Sequence, residues 1–191
     1  AEGPHLHLLN PTRRYRMGSE IECKVWPAAV MMGRWLWQHT ELLRGRTVLE
    51  LGAGVGTAGL AAAKCGARTV MMTDINEAAL RCARENAAKN GPRVSAASRV
   101  AYLDWAAPPI LESHEGSEPF AADSTESMLE GTFDIILLAD VINAEGLSEL
   151  VFQMLQLYLS PDGLVLMISP KPRHRHTVEK IRELLLHESD S

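Results

Sequence analysis

The stretch Thr47-Val48-Leu49-Glu50-Leu51-Gly52-Ala53-Gly54-Val55-Gly56 constrains this chain more than any other. An apolar run enters a turn with glycine at every second position. The helical pattern Ala58-Gly59-Leu60-Ala61-Ala62-Ala63 follows at once. Glycine has no Cβ, so such a turn can be tight and its backbone can come close to a ligand. A helix starting just past the turn points its free N–H groups into the same space. Strand, glycine turn and helix in that order form a binding place for a nucleotide-like cofactor. Asp74 closes a second apolar run, Thr69-Val70-Met71-Met72-Thr73, where an acid would hold ribose hydroxyls.

The rest of the chain keeps the same rhythm. The pattern predicts a first helix from Pro27 to about Leu43, apolar on most sides, with Trp35 and Trp37 in the core. Strand 47–51 leads to a helix over 57–65, and strand 69–73 to a helix over 77–89 capped by Asn76. A third strand lies within Val94–Leu103. Phe133-Asp134-Ile135-Ile136-Leu137-Leu138-Ala139 reads as a doubly covered strand. A helix over 144–159, a strand over 164–169 and a helix over 177–187 complete the series. Repeated β–α units imply an α/β fold with a doubly wound, mostly parallel sheet and right-handed crossovers.

Length and composition suit one domain with a full core: 191 residues, 46% hydrophobic, 23% charged. Residues 1–24 form a polar, irregular N-terminal segment, and residues 25–191 form the domain. The net charge of −5 argues against a nucleic-acid footprint. Cys23, Cys65 and Cys82 form no CxxC pair, which points to reduced thiols, and no metal is expected. No run reaches transmembrane length and no basic-then-apolar leader is seen, so no membrane association is expected. The cytoplasm is the expected compartment, with the nucleus as the alternative. Residues 106–132 interrupt the rhythm with Glu112, Glu115, Glu118, Asp123, Glu126 and Glu130 and no Lys or Arg. They read as a solvated acidic insertion. The basic run Lys171-Pro172-Arg173-His174-Arg175-His176 reads as a solvated loop, the alternative being a clamp for an acidic partner.

Gly54-Val55-Gly56-Thr57-Ala58-Gly59 satisfies the dinucleotide fingerprint, which alone is weak evidence. Its companions are more specific. They are Val25-Trp26-Pro27-Ala28-Ala29, Glu50-Leu51-Gly52-Ala53-Gly54, Thr73-Asp74, Leu103-Asp104-Trp105 and Ala139-Asp140-Val141. In this order the chain resembles the seven-strand S-adenosylmethionine-dependent (class I) methyltransferases. More narrowly it resembles methyltransferase family 16, the non-SET protein-lysine methyltransferases that include calmodulin-lysine methyltransferase.

That resemblance implies a Rossmann-like fold, S-adenosylmethionine as cofactor and a lysine of a protein substrate as acceptor. It implies that Gly52, Ala53, Gly54 and Gly56 let the backbone approach the methionine part of the cofactor, with Glu50 beneath the turn. Asp74, followed by Ile75, would take the ribose hydroxyls. Asp104 and Trp105 would border the adenine, and Trp26 would form part of the wall. Ala139 and Asp140 would stand where cofactor and substrate meet, with Asp140 orienting the amine and accepting its proton. Two further strands, one antiparallel, belong to such a fold and are expected to be missing from this chain. The family often places tyrosine three residues after the acid, where this chain has Asn143; the expectation here is that Asn143 caps the next helix. Small-molecule methylation on the same fold and a non-catalytic scaffold are the alternatives.

Overall fold

The computed structural model describes residues 6–8, 24–108, 131–169 and 178–188. Helix α1 (Pro27–Gln38) and a short 3-10 turn (Thr40–Leu42) precede strand β1 (Thr47–Leu51) and α2 (Thr57–Lys64). Then come β2 (Thr69–Asp74), α3 (Glu77–Lys89), α4 (Pro92–Ala97) and β3 (Ser98–Tyr102). The last described elements are β4 (Phe133–Ala139), α5 (Leu147–Tyr158), β5 (Leu159–Ile168) and α6 (Val178–Glu188). The strands form one sheet in the order β3-β2-β1-β4-β5, and every pair is parallel. The chain moves outward in one direction from β1 to β3, then restarts on the other side of β1 with β4. The crevice between the ends of β1 and β4 is therefore the topological switch point, where ligands bind in open α/β sheets.

Period-two alternation divides the apolar residues between two faces. Val48, Val70, Met72, Ile135 and Leu137 meet Met32 and Leu36 of α1, the alanines of α2, and Leu80 and Ala83 of α3. Leu49, Leu51, Met71, Ile136 and Leu138 meet Val151, Met154, Leu155 and Tyr158 of α5 and Ile181 of α6. Each fully buried side chain of this size contributes roughly 1.5–3 kcal/mol, so both layers are needed to hold the sheet. At the start of β1, the Asp134 carboxylate accepts from Thr47 N–H at 2.8 Å and from the Thr47 hydroxyl at 2.9 Å. The Thr47 N–H holds the Asp134 carboxyl below the usual carboxylate range, and this clamp locks β1 to β4. Part of the N-terminal segment also docks. Leu6 and Leu8 pack on the first core layer, and the Asn90 carboxamide both accepts from His7 N–H at 3.1 Å and donates to His7 O at 2.9 Å.

The expected elements are present with several differences. Helix α1 ends at Gln38, and a separate 3-10 turn carries the chain on. Trp35 is partly buried and stacks on His39, whereas Trp37 is 38% exposed and not in the core. Only Ala28, Ala29, Met32 and Leu36 of α1 are buried, because the helix covers the sheet with a single face. Pro92 opens α4, a six-residue helix that was not expected. Helix α5 begins at Leu147, and its N-cap is Gly146 at φ +81, without any side-chain cap. Asn143 is therefore not a cap. Strand β5 starts at Leu159, before Ser160-Pro161. Phe133 pairs with Leu159 and Ile135 with Leu164, so residues 160–163 bulge out between two paired stretches. The bulk of the acidic insertion (109–130) and the basic run (171–176) lie outside the described residues. Among the described residues the sheet has five strands, and β5 pairs with β4 alone.

Helix α2 lies close to the sheet because Gly59 has no side chain. A Cβ there would sit 2.5 Å from Glu50 Oε2 and 2.6 Å from Met72 Cγ. Alanine in place of glycine stabilises a helix by up to about 1 kcal/mol, whereas overpacking costs roughly 1–3 kcal/mol. Gly59→Ala is expected to lower stability. In denaturant unfolding the midpoint should fall while the slope stays unchanged.

Candidate functional site

The site is built on the glycine turn at the end of β1. Gly52, Gly54 and Gly56 all have positive φ, at +66, +54 and +82. At Gly52 an added Cβ would also lie 2.8 Å from Val141 Cγ1. The turn is closed by Gly56 N–H donating to Ala53 O at 2.8 Å, and it is tied to β2 by Ala53 N–H donating to Thr73 O at 2.8 Å. Asp74 holds it from the side. One carboxylate oxygen accepts Gly54 N–H at 2.8 Å and the other accepts Asn76 N–H at 2.9 Å. Asn76 in turn caps α3 by accepting from Ala78 and Ala79. A single acid thus ties the turn to the start of the next helix.

Glu50 lies under the turn, 2% exposed, and its Oε2 accepts Gly59 N–H at 2.8 Å. It is the cap that α2 otherwise lacks, since Gly56 at the N-cap has no side chain. Burial pushes the Glu50 carboxyl up to about 8, and the nearby Asp74 charge adds to this, outweighing the helix N–H groups that favour the anion. At neutral pH this carboxyl keeps its proton.

A cavity of about 330 Å³ opens at the switch point. Trp26, Glu50, Gly52, Ala53 and Gly54 line it, as do Asp74 and Ile75 from the end of β2. Asp104 and Trp105 line it beyond β3, and Ala139 and Asp140 at the end of β4. Of the residues predicted for the site, Gly56 alone is not in the wall. A Cβ there would stand 2.8 Å from Met72 Sδ and 3.3 Å from Ala83 Cβ, so this glycine lets the turn pack on β2 and α3. Asp104 closes its own turn by accepting Ala106 N–H at 2.9 Å. Asp140 has φ +58, the single positive value at a non-glycine among the described residues, and its N–H donates to Ile168 O at 2.8 Å. Left-handed backbone is disfavoured for a residue with a Cβ, although Asp tolerates it better than most. The strained residue stands at the end of a central strand and in the cavity wall.

The wall also contains Lys24, Thr57 and Asn143, which were not predicted for the site. Lys24 stands two residues before Trp26, in a segment without periodicity. Thr57 is hidden within a helical pattern. Asn143 presented a capping signal that Gly146 displaced. The ionisable wall consists of four acids, Glu50, Asp74, Asp104 and Asp140, and one base, Lys24, among the described residues. Glu50 is protonated at neutral pH, and the other three acids against Lys24 leave a lining that attracts a cationic ligand. Among the described residues, no group of three or more His, Cys, Asp or Glu could hold a metal ion, and no helix is long and apolar enough to cross a membrane.

Comparison with known proteins matches the family described as lysine methyltransferase over residues 12–184. The chain belongs to this family. Members similar to it include mouse EEF1A lysine methyltransferase 3, 28% identical over 94% of this chain and 68% of that protein. Mouse protein N-lysine methyltransferase METTL21A is 33% identical over 77% of this chain and 60% of its own length. Mouse histone-arginine methyltransferase METTL23 is 51% identical over 53 residues, a match spanning 28% of this chain and 21% of that relative. Among solved structures, the ribosomal protein L11 methylase of Lactobacillus delbrueckii subsp. bulgaricus aligns with TM-score 0.53 at 23% identity, covering 90% of this chain and 69% of its own. The Trypanosoma brucei PRMT1 enzyme-prozyme complex with AdoHcy aligns with TM-score 0.53 at 20% identity, over 72% and 38%. At such identities these two structures establish the shared fold, the Rossmann-like arrangement of the class I methyltransferases.

The Glu50 carboxyl gives the family member a pH signature. In the unfolded chain it titrates near 4.5, and in the ligand-free fold near 8. Between these values the unfolded state loses the proton while the fold retains it, so the contribution of Glu50 to stability falls as pH rises through this window. The melting temperature of the ligand-free protein is expected to decline from pH 5 to pH 8. In Glu50→Gln that part of the slope should be missing.

Proposed function

We propose that this chain binds S-adenosylmethionine in the switch-point cavity and methylates a lysine side chain of a protein substrate. The observation that carries this reading is the convergence of the Gly52–Gly54 turn and four strand-end acids on one cavity in a lysine methyltransferase fold. The cofactor is a cation, which suits this lining, and when bound it supplies an electrophilic methyl group on a sulfonium. Methyl transfer from it is an in-line displacement that requires no covalent enzyme intermediate. The chain's own contribution is to orient the reactants and exclude water, an effect that reaches about 7–11 kcal/mol in favourable cases.

In this reading Gly52, Ala53 and Gly54 lie against the amino-acid end of the cofactor, Asp74 and Ile75 against the ribose, and Asp104 and Trp105 against the adenine. Trp26 closes the side, and Gly56 acts through the packing of the turn. Ala139 and Asp140 face the transfer point. A lysine amine has a reference pKa of about 10.4, so losing its proton at pH 7 costs about 5 kcal/mol. Asp140 orients the amine and accepts that proton. Removal of the amine from water on docking supplies the rest, since burial favours the neutral form.

A second reading has an arginine as acceptor. The METTL23 similarity supports it, and Asn143, in the same wall as Asp140, offers a further acceptor for a guanidinium N–H. The cytoplasm is the proposed compartment, with the nucleus as alternative. Cys65 is a free, buried thiol, and unpaired cysteines suit a reducing compartment.

Calorimetric titration is expected to show binding of S-adenosylmethionine and none of NAD. Incubating the chain with labelled cofactor and cell extract, followed by mass spectrometry of the product, distinguishes lysine from arginine. Asp140→Asn keeps the tolerance for positive φ and removes the charge. It should lower turnover by about 100-fold or more while leaving the melting temperature within a few degrees. Unchanged turnover would remove Asp140 from the mechanism.

A further inference from the structure

The cofactor proposed above carries two cationic groups and one anion, the carboxylate of its amino-acid end. Four acids line the cavity, and each repels that carboxylate when ionised. Lys24 is the single basic side chain in the wall among the described residues. Thr57 also lines the cavity. It is 4% exposed, and its hydroxyl is buried without a hydrogen-bond partner. A buried hydroxyl without a partner is costly in a native fold and calls for an explanation.

The first turn of α2 supplies a second reason. Glu50 already accepts Gly59 N–H, so the helix end is capped from inside the protein. The Thr57 hydroxyl, at the first position of that helix, is left over from this arrangement. In a helix the threonine hydroxyl and methyl occupy two accessible χ1 wells, so a single rotation exchanges them. The oxygen itself has almost no accessible surface, so it meets the cavity only after such a rotation, when a ligand oxygen there would give this donor the partner it lacks. Lys24, three residues before the start of α1, lines the same wall. Gly33 of α1 approaches Ala61 of α2 so closely that an added Cβ would lie 3.2 Å from Ala61 Cβ, and Ala29, one turn earlier, lines the cavity with Thr57.

We propose that the Thr57 hydroxyl and the Lys24 ammonium together hold the carboxylate of the cofactor's amino-acid end. Both are positioning residues. They fix the direction of the sulfonium by anchoring the far end of the chain that bears it. The proposal rests on the cofactor reading and adds to it the polarity of the bound amino-acid end.

Binding measurements with two ligands test it. S-adenosylmethionine carries the carboxylate, and decarboxylated S-adenosylmethionine lacks it and is otherwise the same. Thr57→Val and Lys24→Met should each weaken S-adenosylmethionine binding by about tenfold or more, as expected for hydrogen bonds to a charged group. The same variants should bind the decarboxylated ligand within about threefold of the wild type. Thr57→Ser, which keeps the hydroxyl, should bind S-adenosylmethionine like the wild type. Lys24 is exposed, so its variant keeps the test valid if Thr57→Val folds poorly. Equal weakening of both ligands, or no weakening of either, overturns the clamp while the cofactor reading stands. Selectivity in one variant alone removes the other residue from it. A wild-type chain that binds neither ligand overturns the cofactor reading and the clamp together.

Discussion

The close seat of α2 on the sheet is the contact on which the other parts depend. Gly59 allows it by leaving room for the Glu50 carboxyl and the Met72 side chain, and Glu50 answers by accepting the Gly59 N–H. With α2 held there, Gly52, Gly54 and Gly56 must turn the chain left-handed to join strand to helix, and the wall of the cavity is the outside of that turn. Asp74 then ties the same turn to the cap of α3. One short-range packing requirement therefore propagates to three elements, and the cavity is its by-product.

The electrostatics of the site follow from its position at strand ends. Acidic side chains from β1, β2 and β4 and from beyond β3 line a single space, and Lys24 is the one base in its wall among the described residues. Such a lining holds a cation more tightly than a neutral molecule of similar shape. Glu50 is the exception among the acids, because burial keeps it protonated and its role is first to cap a helix.

Much of this was legible in the sequence because it depends on local chemistry. A glycine turn after an apolar strand, an acid at the next strand end and an Asn at a helix start each carry their own signal, and all three lie where the motif placed them. What was misread lies where two local signals compete. Asn143 and Gly146 both suit the start of α5, and the glycine took it by adopting φ +81, which left Asn143 at the cavity. Ser160-Pro161 reads as a stop, but β4 pairs with residues on both sides of it, and the intervening residues bulge out. The sequence of helix α1 is apolar on most sides, and the sheet buries only one of its faces.

The sequence by itself determined the order of the strands and of the longer helices, the position of the glycine turn and the identity of the acids at the strand ends. Periodicity, turn chemistry and residue spacing act over a few residues and are written in the chain. Only the tertiary structure decided which side chains share a wall. Lys24, Thr57 and Asn143 are far apart along the chain and join the cavity through the packing of α1 on α2 and the crossing from β4 to α5. It also decided that Gly56 serves packing while Gly52 and Gly54 face the cavity, since a difference of two residues in one turn becomes a difference of sides only when β2 and α3 are in place.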